Sequence, residues 1–186
     1  MATQQQQDEF IAFRDSCMWL RNCYNTFNHL FNSGPEIEVT LRNTAPLFFG
    51  DLNSILQEYF FLQARRVTDP VATGSRENLT LQNINFGLTQ AGLMTQEISD
   101  LSSSILGYRS LISNLANRAV AHADKATALC PGLVGAHSHQ ELESFVSDLQ
   151  GYTDAVGIVL GIGPLDYSVQ AGPGDVQDLL SALRRV

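Results

Sequence analysis

The stretch Asn117-Arg118-Ala119-Val120-Ala121-His122-Ala123-Asp124-Lys125 gathers an imidazole, a guanidinium, a carboxylate and a carboxamide within a few turns of potential helix. Residues four apart on a helix share a face. Arg118 and His122 can therefore meet one anionic group, with Asn117 or Asp124 placed to orient the ring. Imidazole moves a proton near neutral pH, and guanidinium grips phosphate oxygens in a fixed fork. The chemistry implied is proton transfer beside a phosphate. A single His in a core register also has a plainer role, as a hydrogen-bonded packing residue, and residue types alone leave both readings open.

Other candidates carry less. His137-x-His139 offers two imidazoles and no neighbouring Cys, fewer ligands than a zinc site uses, so it reads as a solvated turn at a helix start and no metal is assigned. Arg65, Arg66, Asp69 and Arg76 cluster around one polar loop. They read as a self-neutralising network that caps helices rather than a phosphate site. Asn78-Leu79-Thr80 reads as turn and cap chemistry. Cys17, Cys23 and Cys130 form an odd set with no Cys-x-x-Cys spacing, which predicts free thiols in a reducing compartment. The sequence shows no cofactor motif.

The elements that must position these groups are helical. Prolines at 35, 46, 70, 131, 164 and 173 punctuate the chain at spacings long enough for helices. Phe10, Phe13, Cys17, Leu20, Tyr24, Phe27 and Phe31 step by three and four, and this first helix ends at the turn Asn32-Ser33-Gly34-Pro35. Pro46 suits a first helical turn, and Phe48, Leu52, Ile55, Tyr59 and Leu62 follow as a second seam ending near Arg66. Turns and a short helix from Leu79 to about Phe86 come next. Ile98, Leu101, Ile105, Tyr108, Ile112 and Leu115 form the most regular seam, whose register continues to Ala119 and His122. Ser138-His139-Gln140-Glu141 is a capping box, opening a helix that carries Leu142, Phe145, Leu149, Tyr152, Val156 and Val159. The predicted fold is all-α, an up-and-down bundle of four long helices plus short accessory helices. Residues 1–164 form one domain, and 165–186 form a tail whose short helix, around Val176, Leu179, Leu180 and Leu183, docks on the bundle or on a partner.

Composition limits the function. Of 186 residues, 44% are apolar and 16% charged, and 19 acidic against 11 basic side chains give a formal net charge of −8. A broad nucleic-acid groove draws its affinity from many cations, so any contact with nucleic acid must be local. The Gln-rich amino terminus does not read as a secretory signal. The longest weakly polar run, Ala155 to Leu165, falls well short of the ~20 residues of a membrane helix. The expectation is a soluble, cytoplasmic protein with no membrane contact.

The stretch from Ala116 to Lys125, with its Ala-His-x-Asp ending, resembles the signature of HEPN domains, in which an Arg precedes the motif His by four to six intervening residues. Phe60-Phe61-Leu62-Gln63-Ala64-Arg65-Arg66-Val67-Thr68-Asp69-Pro70, followed by Asn78-Leu79-Thr80-Leu81, is similar to the AbiU2-like branch, related to phage abortive-infection systems. The resemblance spans about residues 45 to 160. It implies a helical bundle, commonly a homodimer, with metal-independent endoribonuclease activity in active members and a cognate antitoxin protein as partner in many toxins. In those members the motif residues of two protomers share one cleft, and a ribose 2′-hydroxyl attacks the adjacent phosphate. Carried over residue by residue, His122 is the motif His and Asn117 the polar neighbour of the motif Arg, with Arg118 and Asp124 as accompanying candidates. The motif Arg itself is missing: with five intervening residues it falls at position 116, where this chain has Ala116. Arg118 stands about 160° away from that position around an α-helix. The family's function as an RNA-cleaving toxin or defence protein is therefore expected in impaired form, with a non-catalytic dimer that binds RNA or protein as the alternative.

Overall fold

The computed structural model describes residues 2–73, 76–119, 138–168 and 172–185, and side chains at 73, 76 and 113–119 are not described. Helix α1 spans Gln4–Phe31, α2 Pro35–Thr44, α3 Pro46–Thr68, α4 Leu81–Gln90, α5 Gln96–Ala119, α6 His139–Val159 and α7 Val176–Leu183. The four long helices α1, α3, α5 and α6 make the bundle, and α2, α4 and α7 are accessory, so the all-α architecture is as predicted. A two-residue antiparallel pairing, Ala72 with Glu77 and Thr73 with Arg76, tightens the loop after α3.

Local chemistry explains where the helices begin. The Gln-rich start is helical because Thr3 Oγ1 accepts from the Gln6 N–H while the Thr3 N–H donates to Gln6 Oε1, a reciprocal cap. Gln6 and Gln7 then reach across the bundle and donate to the carbonyls of Gly87 and Leu160. Both lie near helix C-termini: Gly87 O also accepts from the Ala91 N–H, while Leu160 O, just past the last turn of α6, is one of the carbonyls a helix leaves without a partner of its own. The expected box opens α6, with Ser138 Oγ accepting from the Glu141 N–H at 3.2 Å and Glu141 Oε2 accepting from the Ser138 N–H at 2.6 Å. Thr80 caps α4 through the Asn83 N–H, and Asn78 Nδ2 donates to Pro70 O, so Asn78 and Thr80 do serve turn and cap.

The α1, α5 and α6 seams bury as their spacing predicts: Phe10, Phe13, Cys17, Leu20, Ile98, Ile105, Ile112, Phe145, Leu149, Tyr152 and Val156 are all inside. One polar thread crosses this core. Tyr152 OH donates to Asn85 Oδ1 at 2.8 Å, and Asn85 Nδ2 donates to Ser102 Oγ at 2.6 Å, so the buried hydroxyls and the carboxamide satisfy one another.

Helix α3 departs from expectation. Its predicted seam faces outward, with Phe48 60%, Ile55 59% and Leu62 44% exposed, while Phe49, Phe60, Phe61, Ala64 and Val67 pack inward. This helix is apolar around most of its circumference, so two registers satisfy a three-four repeat, and only the neighbouring helices choose between them. Helix α2 was not foreseen. Its ten residues offer just one buried pair, Ile37 and Leu41, a pattern too short to register as periodic. It is held by a second small core, in which Ile37, Leu41, Leu30 and Phe49 meet Val176 and Leu180 of α7. The tail helix thus docks on its own bundle.

Candidate functional site

Contacts fix the direction of α5. Ser104 Oγ donates to Asp148 Oδ2 at 2.5 Å, and the Tyr108 ring stacks on Phe145 with centroids 4.4 Å apart and planes 23° from parallel. Numbers rise along α5 as they fall along α6, so the two are antiparallel. The turns beyond Ile112 therefore run toward the end of the bundle where α6 begins at Ser138 and α1 ends at Phe31. Asn117 and Arg118 lie in those last turns, in continuous helical backbone through Ala119. Their side chains are not described, and His122 and Asp124 lie outside the described residues. The backbone observation still carries weight: position 116 is helical, so the register separating it from position 118 applies.

A further side chain of α5 reaches the end of α3. Arg109 Nη2 lies 3.1 Å from Asp69 Oδ1, and Arg65 Nε is 3.8 Å from the same oxygen. The predicted cluster thus forms an ion-pair network at the C-terminal cap of α3, with Arg109 as a member that the sequence reading missed. Forty residues separate Arg109 from Asp69, so no local pattern pointed to it. All three groups are partly exposed, and such pairs each contribute about 0–1 kcal/mol. Their main consequence is positional, tying the motif-bearing helix to α3. Arg66 is exposed, and the side chain of Arg76 is not described.

At the bundle end toward which α5 runs, a pocket of about 210 Å³ opens between α1, α3 and α6. Its floor is aromatic: Tyr24 and Phe60 ring centroids lie 6.1 Å apart, and Phe60 and Phe61 meet edge-on at 5.8 Å. Phe27, Leu56 and Leu142 complete the apolar wall, and Asn32, Gln57 and His139 supply its polar atoms. Nothing in the spacing of these residues announced a pocket, because they come from three helices and a turn. His139, weighed earlier as half of a His-x-His pair, places Nε2 3.2 Å from Glu143 Oε1. His137 lies outside the described residues. Among the described residues no group of three or more His, Cys, Asp or Glu side chains stands close enough to hold a metal ion.

The remaining titratable groups near the core are not suited to chemistry. Burial pushes the Cys17 and Cys23 thiols up, and the Tyr108, Tyr152 and Tyr167 phenols as well. A thiol kept protonated is a poor nucleophile. Among the described residues no helix is long and apolar enough to cross a membrane.

The sequence profile of the AbiU2 family matches residues 4–179. That range is wider than the 45–160 stretch carrying the resemblance, and it takes in the capped amino-terminal helix and most of α7. Neither a curated protein nor a solved structure matches the chain. A profile covering nearly the whole chain, on an all-α bundle whose fifth helix leads into the Ala-His-x-Asp stretch, identifies the chain as a member of the AbiU2 family of HEPN domains.

Proposed function

We propose that this chain is a HEPN-type RNA-acting defence protein, an endoribonuclease that needs no metal and whose activity is reduced by Ala116. The observation that carries the reading is the AbiU2 profile running through α5 and past the Ala-His-x-Asp stretch. In the proposed site His122 positions or accepts the 2′-hydroxyl proton, a cation steadies the phosphate, and Asn117 and Asp124 orient these groups. The second reading, a non-catalytic RNA- or protein-binding scaffold, is favoured by the same Ala116, which leaves a methyl group where the cation belongs. One assay separates them. Single-stranded RNA incubated with the protein in excess chelator is cut if the first reading holds. RNA bound but not cut, with affinity that falls on adding salt or on Arg118→Ala, supports the scaffold. Cleavage abolished by the chelator overturns the metal-independent mechanism.

The reading includes a cytoplasmic homodimer, with a cognate antitoxin protein as second partner. What supports the dimer is the outward stripe on α3. Phe48, Leu52, Ile55, Tyr59 and Leu62 alternate steps of four and three over two heptads, the spacing of a coiled-coil seam; Phe48, Ile55 and Leu62 are exposed, Tyr59 is half-buried and Leu52 packs partly against the second core. Beside it Trp19 is 54% exposed, its indole N–H donating to Tyr59 OH at 2.8 Å. Exposed halves of large side chains offer roughly 100 Å² each, so this patch supplies a substantial part of the ~800 Å² per partner of a standard interface. Ile55→Glu is expected to convert a dimer to a monomer in light scattering at micromolar concentration, with helical circular dichroism unchanged. A parent protein that is monomeric under those conditions removes the dimer.

A further inference from the structure

We propose that the pocket between α1, α3 and α6 is a subsite for a single nucleobase. The proposal rests on the RNA-acting reading for its biological ligand, but not for its chemistry. Protein interiors are close-packed, yet here the rings of Tyr24, Phe60 and Phe61 floor a space of about 210 Å³ that the bundle does not fill. That is below the roughly 300–1,000 Å³ of pockets enclosing drug-sized ligands. It suits one planar ring system. Base–aromatic stacking is how proteins hold unpaired bases, because every base has a π-face.

The polar atoms of the rim can meet the edge of a base. Asn32 Nδ2 donates to Asn28 Oδ1 at 2.8 Å, and Gln57 Nε2 donates to Asn53 Oδ1. Each carboxamide NH2 carries two hydrogens, so each side chain keeps one N–H donor as well as its oxygen acceptor. His139 directs Nε2 to Glu143, which leaves Nδ1 as the ring's other polar atom. A rim that holds both donors and acceptors can pair with the edge of a base. The placement also fits, since α5 delivers the motif-bearing turns to this end of the bundle.

The test reads binding, not cleavage, so that it stands apart from the enzyme assay. Fluorescence anisotropy is measured in chelator with short single-stranded oligomers of C, A or U, alongside NMR of the Gln57 side-chain amide titrated with cytidine monophosphate or with ribose 5-phosphate. The expected results are binding of the oligomers, and a Gln57 shift with the nucleotide that ribose 5-phosphate does not reproduce. Phe27→Ala should weaken the C oligomer roughly tenfold, and Gln57→Leu should weaken it as well. Asn32→Ala, at an exposed turn, repeats the second test should Phe27→Ala fail to fold. Nucleotide binding without RNA binding supports the pocket and overturns the RNA-acting reading. RNA binding that folded pocket variants leave unchanged, or a Gln57 shift equal with ribose 5-phosphate, overturns the pocket alone. No binding of either ligand overturns both.

Discussion

Ala116→Arg raises metal-independent RNA cleavage by roughly 10²–10³-fold, and the gain vanishes when His122 is also replaced by Ala. The magnitude is that of one well-placed donor to transition-state charge, ~2.7–4 kcal/mol in other enzymes. Position 116 lies in continuous α-helical backbone, and Arg is nearly as good a helix former as Ala, so the substitution costs little in helix propensity. The nearest cation on the same register is Arg109, seven residues earlier. Its guanidinium is 3.1 Å from Asp69, and two turns of helix put it ~10 Å short of position 116. It cannot serve there. In the Ala116→Arg background, His122→Ala should remove ~10²–10⁴ of the rate, the span for loss of a general acid or base. A folded variant no more active than the parent on a range of RNAs overturns the register. A parent already active and crippled by Arg118→Ala identifies Arg118 as the working cation.

Gly157→Ala lowers the melting temperature by about 5 °C, although Ala is the better helix former. Helix propensity alone favours Ala over Gly by about 1 kcal/mol. At this position the chain leaving α6 folds back on the helix, and the N–H groups of Ile162 and Gly163 both donate to Gly157 O at 3.0 Å. A Cβ on residue 157 would stand 2.2 Å from Gly163 O, with Phe10 Cε1 a further 3.7 Å neighbour. Backbone cannot move aside as a flexible side chain can, and overpacking costs typically about 1–3 kcal/mol, occasionally more. Gly163 has φ +69° and Gly161 φ +74°, left-handed conformations that few residues adopt, so the turn has little room to re-form elsewhere. The clash outweighs propensity. Gly107 in α5 is the contrast: an added Cβ meets nothing within 4 Å, and Gly107→Ala should raise the melting temperature by about 2–4 °C. Thermal unfolding followed by circular dichroism checks both. A Gly157→Ala variant that melts higher than the parent would mean the returning turn does not pack as described.

The sequence by itself determined the helical class, the seams of α1, α5 and α6, the capping box at Ser138 and the family. Each of these is a local signal: one apolar stripe per helix, one cap, one short motif, all legible because the groups involved lie within a few residues of one another. Tertiary structure decided the rest. It chose which of two apolar faces α3 buries, since Phe48, Ile55 and Leu62 are as hydrophobic as Phe49, Phe60 and Phe61 and only the neighbouring α1 and α5 distinguish them. It made a helix of Pro35–Thr44, whose short apolar pair gains its stability from α7 at the far end of the chain. It brought Arg109 to Asp69 across forty residues. The pocket followed for the same reason, because Tyr24, Gln57 and His139 become neighbours only when three helices meet at one end of the bundle, and periodicity along a chain records faces, not the spaces left between them.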